Sequence, residues 1–480
     1  MIRVYFDWNV FSYLKEPEYK KLKQKVEELS YAIQFPYSPA HFQDLMKSYD
    51  KNNDSNKYFY EDLNLLEKLS KTHLLRWEGT RTVPLMATPK EYFESNKNLE
   101  DISIDIEKAF NDVDELSEEY GIPKISKLMK SLFKMQPLGF EINNDNKDAI
   151  NKMFPNINSE STMWDFMKDM GQFSDKLLKD KNYYKDIRKT IKDQGLKLDI
   201  NSGNWDAKDV FDKLDKFLAT FDLKLSFIDY VQKVFEFRKK KANRHEFFTT
   251  AYLLLDMLGY KSDKLSKISN NMGNITSDAE HAFYGAHCDF FIANDKKLLA
   301  KAKVLYHEFN IQTTIWTPEE FINKIDSFVH TLPQNAKDAI EEGARIIDLK
   351  NTVEFHPKSD NYEVDSYGLS LPMFYFNFFN YAIFQYYEEY NSYVITFRRV
   401  FKNYSDFIFY TELEKLINNL GNVFGVDNEV EFQKTIKDFV YNIEEKTILW
   451  TFDNIIIVLE KDVELGRANL KYFIRKNNSG

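Results

Sequence analysis

A short, mostly apolar run near the start of the chain ends directly at an acid. Ile2 to Phe6 has the length and composition of a buried strand, and Asp7 follows it without a break. A carboxylate in this position costs free energy unless a cationic side chain, backbone N–H groups or a metal ion compensates its charge. The fold must therefore bring one of these partners to Asp7.

Composition limits the class of protein. A length of 480 residues predicts more than one domain, and a net charge of −10 argues against a surface that attracts nucleic acid everywhere, although it allows a local basic groove. The single cysteine, Cys288, rules out an internal disulfide. No secretion signal is visible, and the most apolar stretch, 369–384, is too short and too polar to span a membrane. We expect a cytoplasmic protein with no membrane segment.

A second acid follows a second short strand. The segment QFPYSPAHFQD predicts a strand that leads into a helix, with Ser38 as the N-cap and Pro39 at the first helical position. This helix carries His41 and Asp44 in its first two turns. Asp44 is therefore expected just beyond the carboxyl end of the strand.

The α/β pattern returns after residue 245. Residues 277–305 predict a helix, the strand CDFFIAN, a sharp turn at Asn294–Asp295 and another helix, and strands that alternate with helices indicate a parallel sheet. Ser277 and Glu280 fit a capping box, so Asp278 is expected to open the first of these helices. Asp289 enters the strand from its opposite end and is interpreted as structural.

Four acids are thus expected at one edge of the sheet, because parallel sheets place ligand sites at the carboxyl ends of their strands. They are Asp7, Asp44, Asp278 and Asp295. Such carboxylates would repel one another unless hard cations such as Mg²⁺ or Mn²⁺ neutralise them. One or two of these ions can orient a water and stabilise the transition state of phosphodiester hydrolysis.

The motifs around these acids resemble those of PIN-domain nucleases. The similar stretches are DWNVF, SPAHFQD, SDAEH and CDFFIANDKKL, within about residues 1–60 and 245–328. The resemblance implies a compact three-layer α/β fold and metal-dependent cleavage of RNA, with the four acids as Mg²⁺ or Mn²⁺ ligands. It also puts Asn9 in the position of an accompanying Asn. The family usually has Glu where this chain has Asp44, and its core is usually close to continuous.

We therefore expect an α/β protein with a PIN-like three-layer core around a central parallel sheet. Residues 1–97 and 241–330 would form its two halves. Apolar residues repeat every three or four positions within 98–240, which predicts a large helical insertion. Residues 345–480, rich in β-branched and aromatic residues, predict a separate C-terminal α+β domain of unknown role, through which a regulatory protein or a second copy of the chain would bind.

Several other residues are candidates for supporting roles. Asn9 and Asn294 are expected to orient the acids by hydrogen bonds, and Ser38 to cap its helix. The densest basic cluster would be either a solvated helix end or a phosphate-binding patch beside the site; it comprises Arg238, Lys239, Lys240, Lys241 and Arg244. Lys296 and Lys297, which follow Asp295, are expected to help hold the substrate. The aromatic segment 373–410 would either form a core or stack bases.

The sequence predicts a PIN-like, Mg²⁺- or Mn²⁺-dependent endoribonuclease, with a toxin or defence-type effector as one biological setting. Its substrate would be RNA, single-stranded in preference to duplex, with DNA left open. The alternative is a catalytically degenerate PIN-like scaffold that binds nucleic acid or a partner. A phosphatase with Asp7 as nucleophile would usually carry a second acid where Asn9 stands. No phosphate-binding G-x-x-x-x-G-K loop or G-x-S-x-G elbow is present.

Overall fold

A computed structural model describes most of the chain outside its middle. The described residues are 1–50, 56–97, 204–220, 225–233, 241–262, 272–348, 353–359, 363–442, 447–462 and 467–476, with 161, 189, 198 and 235 as single positions. They divide by contacts into two compact units. The first comprises Met1–Lys90, Asn243–His245 and His281–Gly480, and the second comprises Glu91–Ala242 and Glu246–Glu280.

The strands are β1 Ile2–Phe6, β2 Ile33–Gln34, β3 His73–Trp77, β4 Thr82–Met86, β5 Phe290–Ile292, β6 Thr314–Trp316, β7 Val353–His356, β8 Ser366–Tyr375, β9 Phe379–Tyr387, β10 Ser392–Arg398, β11 Thr447–Phe452, β12 Ile455–Asp462 and β13 Arg467–Arg475. The helices are α1 Trp8–Tyr13, α2 Lys20–Glu28, α3 Pro39–Met46, α4 Lys57–Ser70, α5 Pro89–Asn96, α6 Val210–Ala219, α7 Phe227–Lys233, α8 Arg244–Leu258, α9 Met272–Gly285, α10 Lys296–Glu308, α11 Pro318–Lys324, α12 Ala336–Asp348, α13 Tyr410–Phe424 and α14 Glu429–Tyr441.

A four-stranded parallel sheet contains the first strand of the chain. Its order is β2-β1-β5-β6, and each neighbouring pair is parallel. All five residues of β1 and all three of β5 are buried, which agrees with the apolar sequence of β5 and, apart from Arg3, of β1. In the register, Phe6 lies opposite Ile292, so both strands end at the same edge of the sheet.

A seven-stranded antiparallel sheet contains the strands of the last third of the chain. Its order is β11-β12-β13-β10-β9-β8-β7. Apolar residues of helices α13 and α14 and of this sheet form one hydrophobic core. Five aromatic residues of the segment 373–410 are fully buried in it: Tyr375, Phe376, Phe378, Phe379 and Phe397. For these residues the core interpretation is right, and the base-stacking interpretation is wrong because their rings are not accessible.

Two buried ion pairs join the parallel sheet to the C-terminal third. On β1, the Nε of Arg3 lies 2.7 Å from a carboxylate oxygen of Glu412 on α13, and both side chains are 1% exposed. At the entry to β5, Asp289 accepts from the backbone N–H of Arg3 and pairs with Arg399 at 2.6 Å. The structural interpretation of Asp289 is therefore confirmed.

The elements agree with the sequence predictions in part. The α/β class is confirmed, since the described residues contain both helices and a parallel sheet. The capping box at Ser277 is wrong: α9 begins at Met272, so Asp278 lies inside the helix instead of opening it. The predicted helical segment 98–240 lies mostly outside the described residues. Its described part contains the helices α6 and α7. No helix in the described ranges is long and apolar enough to cross a membrane.

Candidate functional site

Asp7 lies where β1 meets α1. Its backbone N–H donates to the carbonyl of Ile292 at 2.9 Å, which continues the pairing of β1 with β5 by one residue. The residue is only 2% exposed. Asn9 donates from its side-chain amide to Oδ2 of Asp7 at 3.2 Å. The acid is thus held at the carboxyl end of the sheet by the backbone and oriented by its neighbour.

Asp44 is brought to the same place by α3. Ser38 caps this helix by accepting from the N–H of Ala40, and Pro39 occupies the first position, as predicted. The capping box is completed by His41, whose Nδ1 accepts from the N–H of Ser38 at 3.1 Å. Because the helix start is fixed in this way, the position of Asp44 in the second turn is also fixed.

His281 on α9 joins the two acids. Its Nε2 donates to Oδ2 of Asp44 at 2.9 Å and lies 3.9 Å from Oδ1 of Asp7. The imidazole is 1% exposed. Two carboxylates that are far apart in the sequence therefore face one buried ring nitrogen.

Tyr5 connects this arrangement to the start of α3. Its hydroxyl lies 2.6 Å from Oγ of Ser38 and 3.0 Å from Nδ1 of His281. His41 lies 3.3 Å from the same hydroxyl through Nδ1 and donates through Nε2 to the carbonyl of Phe6 at 2.8 Å. These five residues form a buried hydrogen-bonded network that fixes the orientation of His281.

The two acids differ in electrostatic environment. Burial raises the pKa of Asp7; the interaction with His281 and the hydrogen bond from Asn9 oppose this rise, and the charge of Asp44 adds to it. Burial would also raise the pKa of Asp44, but the hydrogen bond from His281 and attraction to His281 and Lys47 hold it well below its usual range. Asp44 is therefore the firmly ionised partner, whereas the charge on Asp7 is incompletely compensated.

Asp295 lies after β5, the parallel neighbour of β1. Its Oδ1 caps α10 by accepting from the N–H groups of Lys297 and Leu298 at 2.6 and 3.1 Å. The residue is exposed. Asn294 beside it donates to the hydroxyl of Tyr13 and not to an acid among the described residues. The carboxylate is therefore at the predicted edge of the sheet, but with one oxygen engaged by the helix.

Asp278 lies on α9, three residues before His281. The helix crosses the division between the two compact units, and Asp278 belongs to the second unit while His281 belongs to the first. The predicted convergence of all four acids therefore remains a prediction. Asp7 and Asp44 are the two whose convergence is described.

The candidate phosphate-binding residues are only partly described. Arg238, Lys239 and Lys240 lie outside the described residues. Lys241 is exposed, and the guanidinium of Arg244 lies 4.7 Å from the centre of the Tyr404 ring. Lys296 is exposed and Lys297 partly exposed in the first turn of α10, directly after Asp295.

Sequence reasoning missed two residues of the site, Tyr5 and His281. The signal for Tyr5 is a hydroxyl in an otherwise apolar strand, two residues before Asp7. The signal for His281 is its spacing from Asp278, because residues three apart lie on one face of a helix. Neither feature of the sequence identifies the partner residue, so neither predicts the contact of His281 with Asp44.

The pair of carboxylates suits a hard divalent cation. Mg²⁺ is often held by one or two carboxylates, with waters and substrate phosphates completing its coordination. Asp7 and Asp44 supply such a pair, and a cation would offset the charge on Asp7. In the part of the chain that the structure describes, no group of three or more His, Cys, Asp or Glu side chains is arranged to hold a metal ion. Among the described residues, the side chains at this position that could hold a cation are therefore Asp7 and Asp44, without a complete protein cage.

Comparisons with models of protein families, with curated proteins and with solved structures find no match to this chain. The interpretation of the site therefore depends on its residues and their geometry.

Proposed function

We propose that this chain is a PIN-like endoribonuclease that depends on Mg²⁺ or Mn²⁺. The parallel sheet β2-β1-β5-β6 would be the central sheet of a three-layer PIN-like core. The observation that carries the proposal is the approach of Asp7 and Asp44 to one nitrogen of His281, at 3.9 and 2.9 Å. Burying two acids side by side destabilises a fold, so such a pair is more readily explained by a site than by packing.

Each residue has a role that follows from its contacts. Asp7 and Asp44 would hold the cation, and Asn9 would keep Asp7 oriented. His281 keeps the Asp44 carboxylate ionised and in place. A bound cation would supply an activated water and stabilise charge on the phosphate in the transition state. Lys296 and Lys297, which follow Asp295, would bind the RNA backbone beside the site.

Cleavage of end-labelled single-stranded RNA by the purified full chain tests this proposal. The reactions contain Mn²⁺, Mg²⁺ or EDTA, and single-stranded DNA is the alternative substrate. We expect metal-dependent cleavage that is abolished by EDTA and by Asp7→Asn. Asp427→Asn, which makes the same change at an exposed position, should cleave as the wild type does. Equal cleavage by Asp7→Asn would overturn the proposal.

A second candidate is a non-catalytic scaffold or binding module. It is favoured by the position of His281, whose ring nitrogen already supplies a hydrogen bond to Asp44 and lies near Asp7. In this case the imidazole alone would satisfy the acids and no cation would be needed. Calorimetric titration with Mn²⁺ separates the two: heat of binding that is lost in Asp7→Asn supports the nuclease, and the absence of both binding and cleavage supports the scaffold.

A further inference from the structure

A separate cavity lies at the other end of β1. Its volume is about 180 Å³, and its lining includes Met1, which precedes the strand, whereas Asp7 follows the strand. The walls come from β2, from the turn between α4 and β3, and from the first turns of α13. The cavity is therefore distinct from the acidic site, and its ligand can be inferred independently of the proposed function.

The charged side chains that the described residues contribute to the lining of this cavity are all basic. They are Lys68, Lys71 and Lys415, and no Asp or Glu is among the described residues that line it. Lys68 pairs with Glu27 at 3.3 Å, away from the lining. The Nζ of Lys415 donates to the carbonyl of Ser30 at 3.1 Å, and no carboxylate of the described residues lies within 4 Å of it. The cavity thus has a positive charge that the described protein groups do not fully balance.

The environment of Lys415 also favours an anion. Burial lowers its pKa, and the charge of Lys71 lowers it further, to about 8. A nearby negative charge would stabilise the charged form of Lys415 in this environment. Lysine binds phosphate as a point charge, and several lysines suit a group with more than one negative charge.

Lys71 occupies a backbone conformation that favours glycine. It follows the last residue of α4 with φ 55° and ψ −112°. A non-glycine residue in this conformation is strained. Glycine would relieve the strain at this position, so the lysine side chain that lines the cavity is present at a cost in stability.

A buried side chain in the cavity also lacks a partner. Gln34 is 7% exposed, and its Nε2 lies 2.7 Å from Nε2 of His73. Its Oε1 has no hydrogen-bond partner among the described residues. A buried carbonyl oxygen of this kind needs a donor, which a hydroxyl or amino group of a ligand would supply. The hydroxyl of Thr411 lies 2.8 Å from Nε2 of His73 and is part of the same wall of the cavity.

We propose that this cavity binds a small phosphate ester that carries a hydroxyl or amino group. The phosphate would lie among Lys68, Lys71 and Lys415, and the hydroxyl or amino group would donate to Oε1 of Gln34. The apolar wall, which includes Ile33, Phe35 and Leu69, would cover the carbon skeleton.

Titration calorimetry of the full chain with inorganic phosphate, glycerol 3-phosphate and glycerol tests the proposal. We expect binding of both phosphates and not of glycerol. Lys415→Met and Lys71→Gly should each weaken the binding of both phosphates by about tenfold. Lys434→Met, an exposed lysine on α14 that does not line the cavity, should leave both affinities unchanged.

Two features of the variants separate lost binding from lost folding. Lys71→Gly should melt at the same temperature as the wild type or higher, because it relieves backbone strain. Gln34→Leu should weaken glycerol 3-phosphate and leave inorganic phosphate unchanged. The proposal is overturned if neither phosphate binds at millimolar concentration, or if Lys434→Met weakens binding as much as the two cavity variants do.

Discussion

Arg3 on β1 and Glu412 on α13 form a buried ion pair across 409 positions of sequence. The guanidinium donates to both carboxylate oxygens, at 2.7 and 2.8 Å, and two further N–H groups donate to Ser405 Oγ and the carbonyl of Phe407. The rings of Phe401, Phe407 and Phe409 lie within 5.5 Å of it. The strand that ends at Asp7 is therefore attached to the C-terminal third of the chain.

Removing one partner of this pair should strongly destabilise the protein. Arg3→Met leaves the Glu412 carboxylate buried without a cation, at a cost of about 3–5 kcal/mol in the free energy of unfolding. Denaturant unfolding monitored by tryptophan fluorescence measures the loss. Lys324→Met, which breaks an exposed pair with Glu320, should cost less than about 1 kcal/mol. Similar losses for both variants would show that the buried pair contributes no more to the free energy of unfolding than the exposed pair does.

The same pair predicts sensitivity to acid. Burial opposes ionisation of Glu412, but attraction to Arg3 prevails and lowers its pKa from the ordinary value of 4.5 to about 2. A lowered carboxyl pKa stabilises the fold above the unfolded-state value, and this contribution is lost as the pH falls from 4.5 towards 2. Stability of the wild type should therefore fall more steeply across this window than that of Glu412→Gln. Parallel curves for the two proteins would contradict the assignment.

Asp7 should destabilise the metal-free protein. Since its folded-state pKa is raised, its ionised form is disfavoured by folding at neutral pH. Asp7→Asn in EDTA at pH 7 should therefore raise the free energy of unfolding by about 1 kcal/mol, and the gain should shrink as the pH falls and wild-type Asp7 becomes protonated. Asp427→Asn is the matched exposed change and should differ from wild type by less than about 0.5 kcal/mol. A loss of stability in Asp7→Asn would mean that the carboxylate is fully compensated.

The hydroxyl of Tyr5 should contribute to stability through its network. Tyr5→Phe leaves Ser38 Oγ and His281 Nδ1 without this partner in a buried region, and the expected loss is about 1–3 kcal/mol. The exposed Tyr390 provides the control, because Tyr390→Phe should have no measurable effect on thermal unfolding. An unchanged melting temperature for Tyr5→Phe would show that water replaces the hydroxyl.

The elements with strong local signals were predictable from the sequence. The apolar run Ile2–Phe6 specifies a buried strand, Ser38–Pro39 specifies a helix start, and alternating strands and helices specify a parallel sheet. The start of α9 was not, because Ser277–Glu280 satisfies the pattern of a capping box while the preceding residues continue the helix from Met272. A cap pattern identifies a possible start and cannot exclude a helix that already passes through it.

The site was predictable in its acids and not in its contacts. Asp7 and Asp44 follow strands, which is a local property. The hydrogen bond from His281 to Asp44 joins residues that are 237 positions apart in the sequence, and the residues around neither of them indicate this contact. Arg3 illustrates the same limit, since a lone basic residue in an apolar strand indicates a buried partner but does not identify Glu412.

The attachment of Arg3 to residues 405–412 has a genetic consequence. A nonsense codon upstream of this segment would remove the Arg3 partners Glu412 and Ser405, two of the rings around the guanidinium, and strands β11 to β13 of the antiparallel sheet. Such a product would be a substrate for cellular proteases and not a smaller working protein. Loss of the last third of the gene should therefore have the phenotype of a complete deletion.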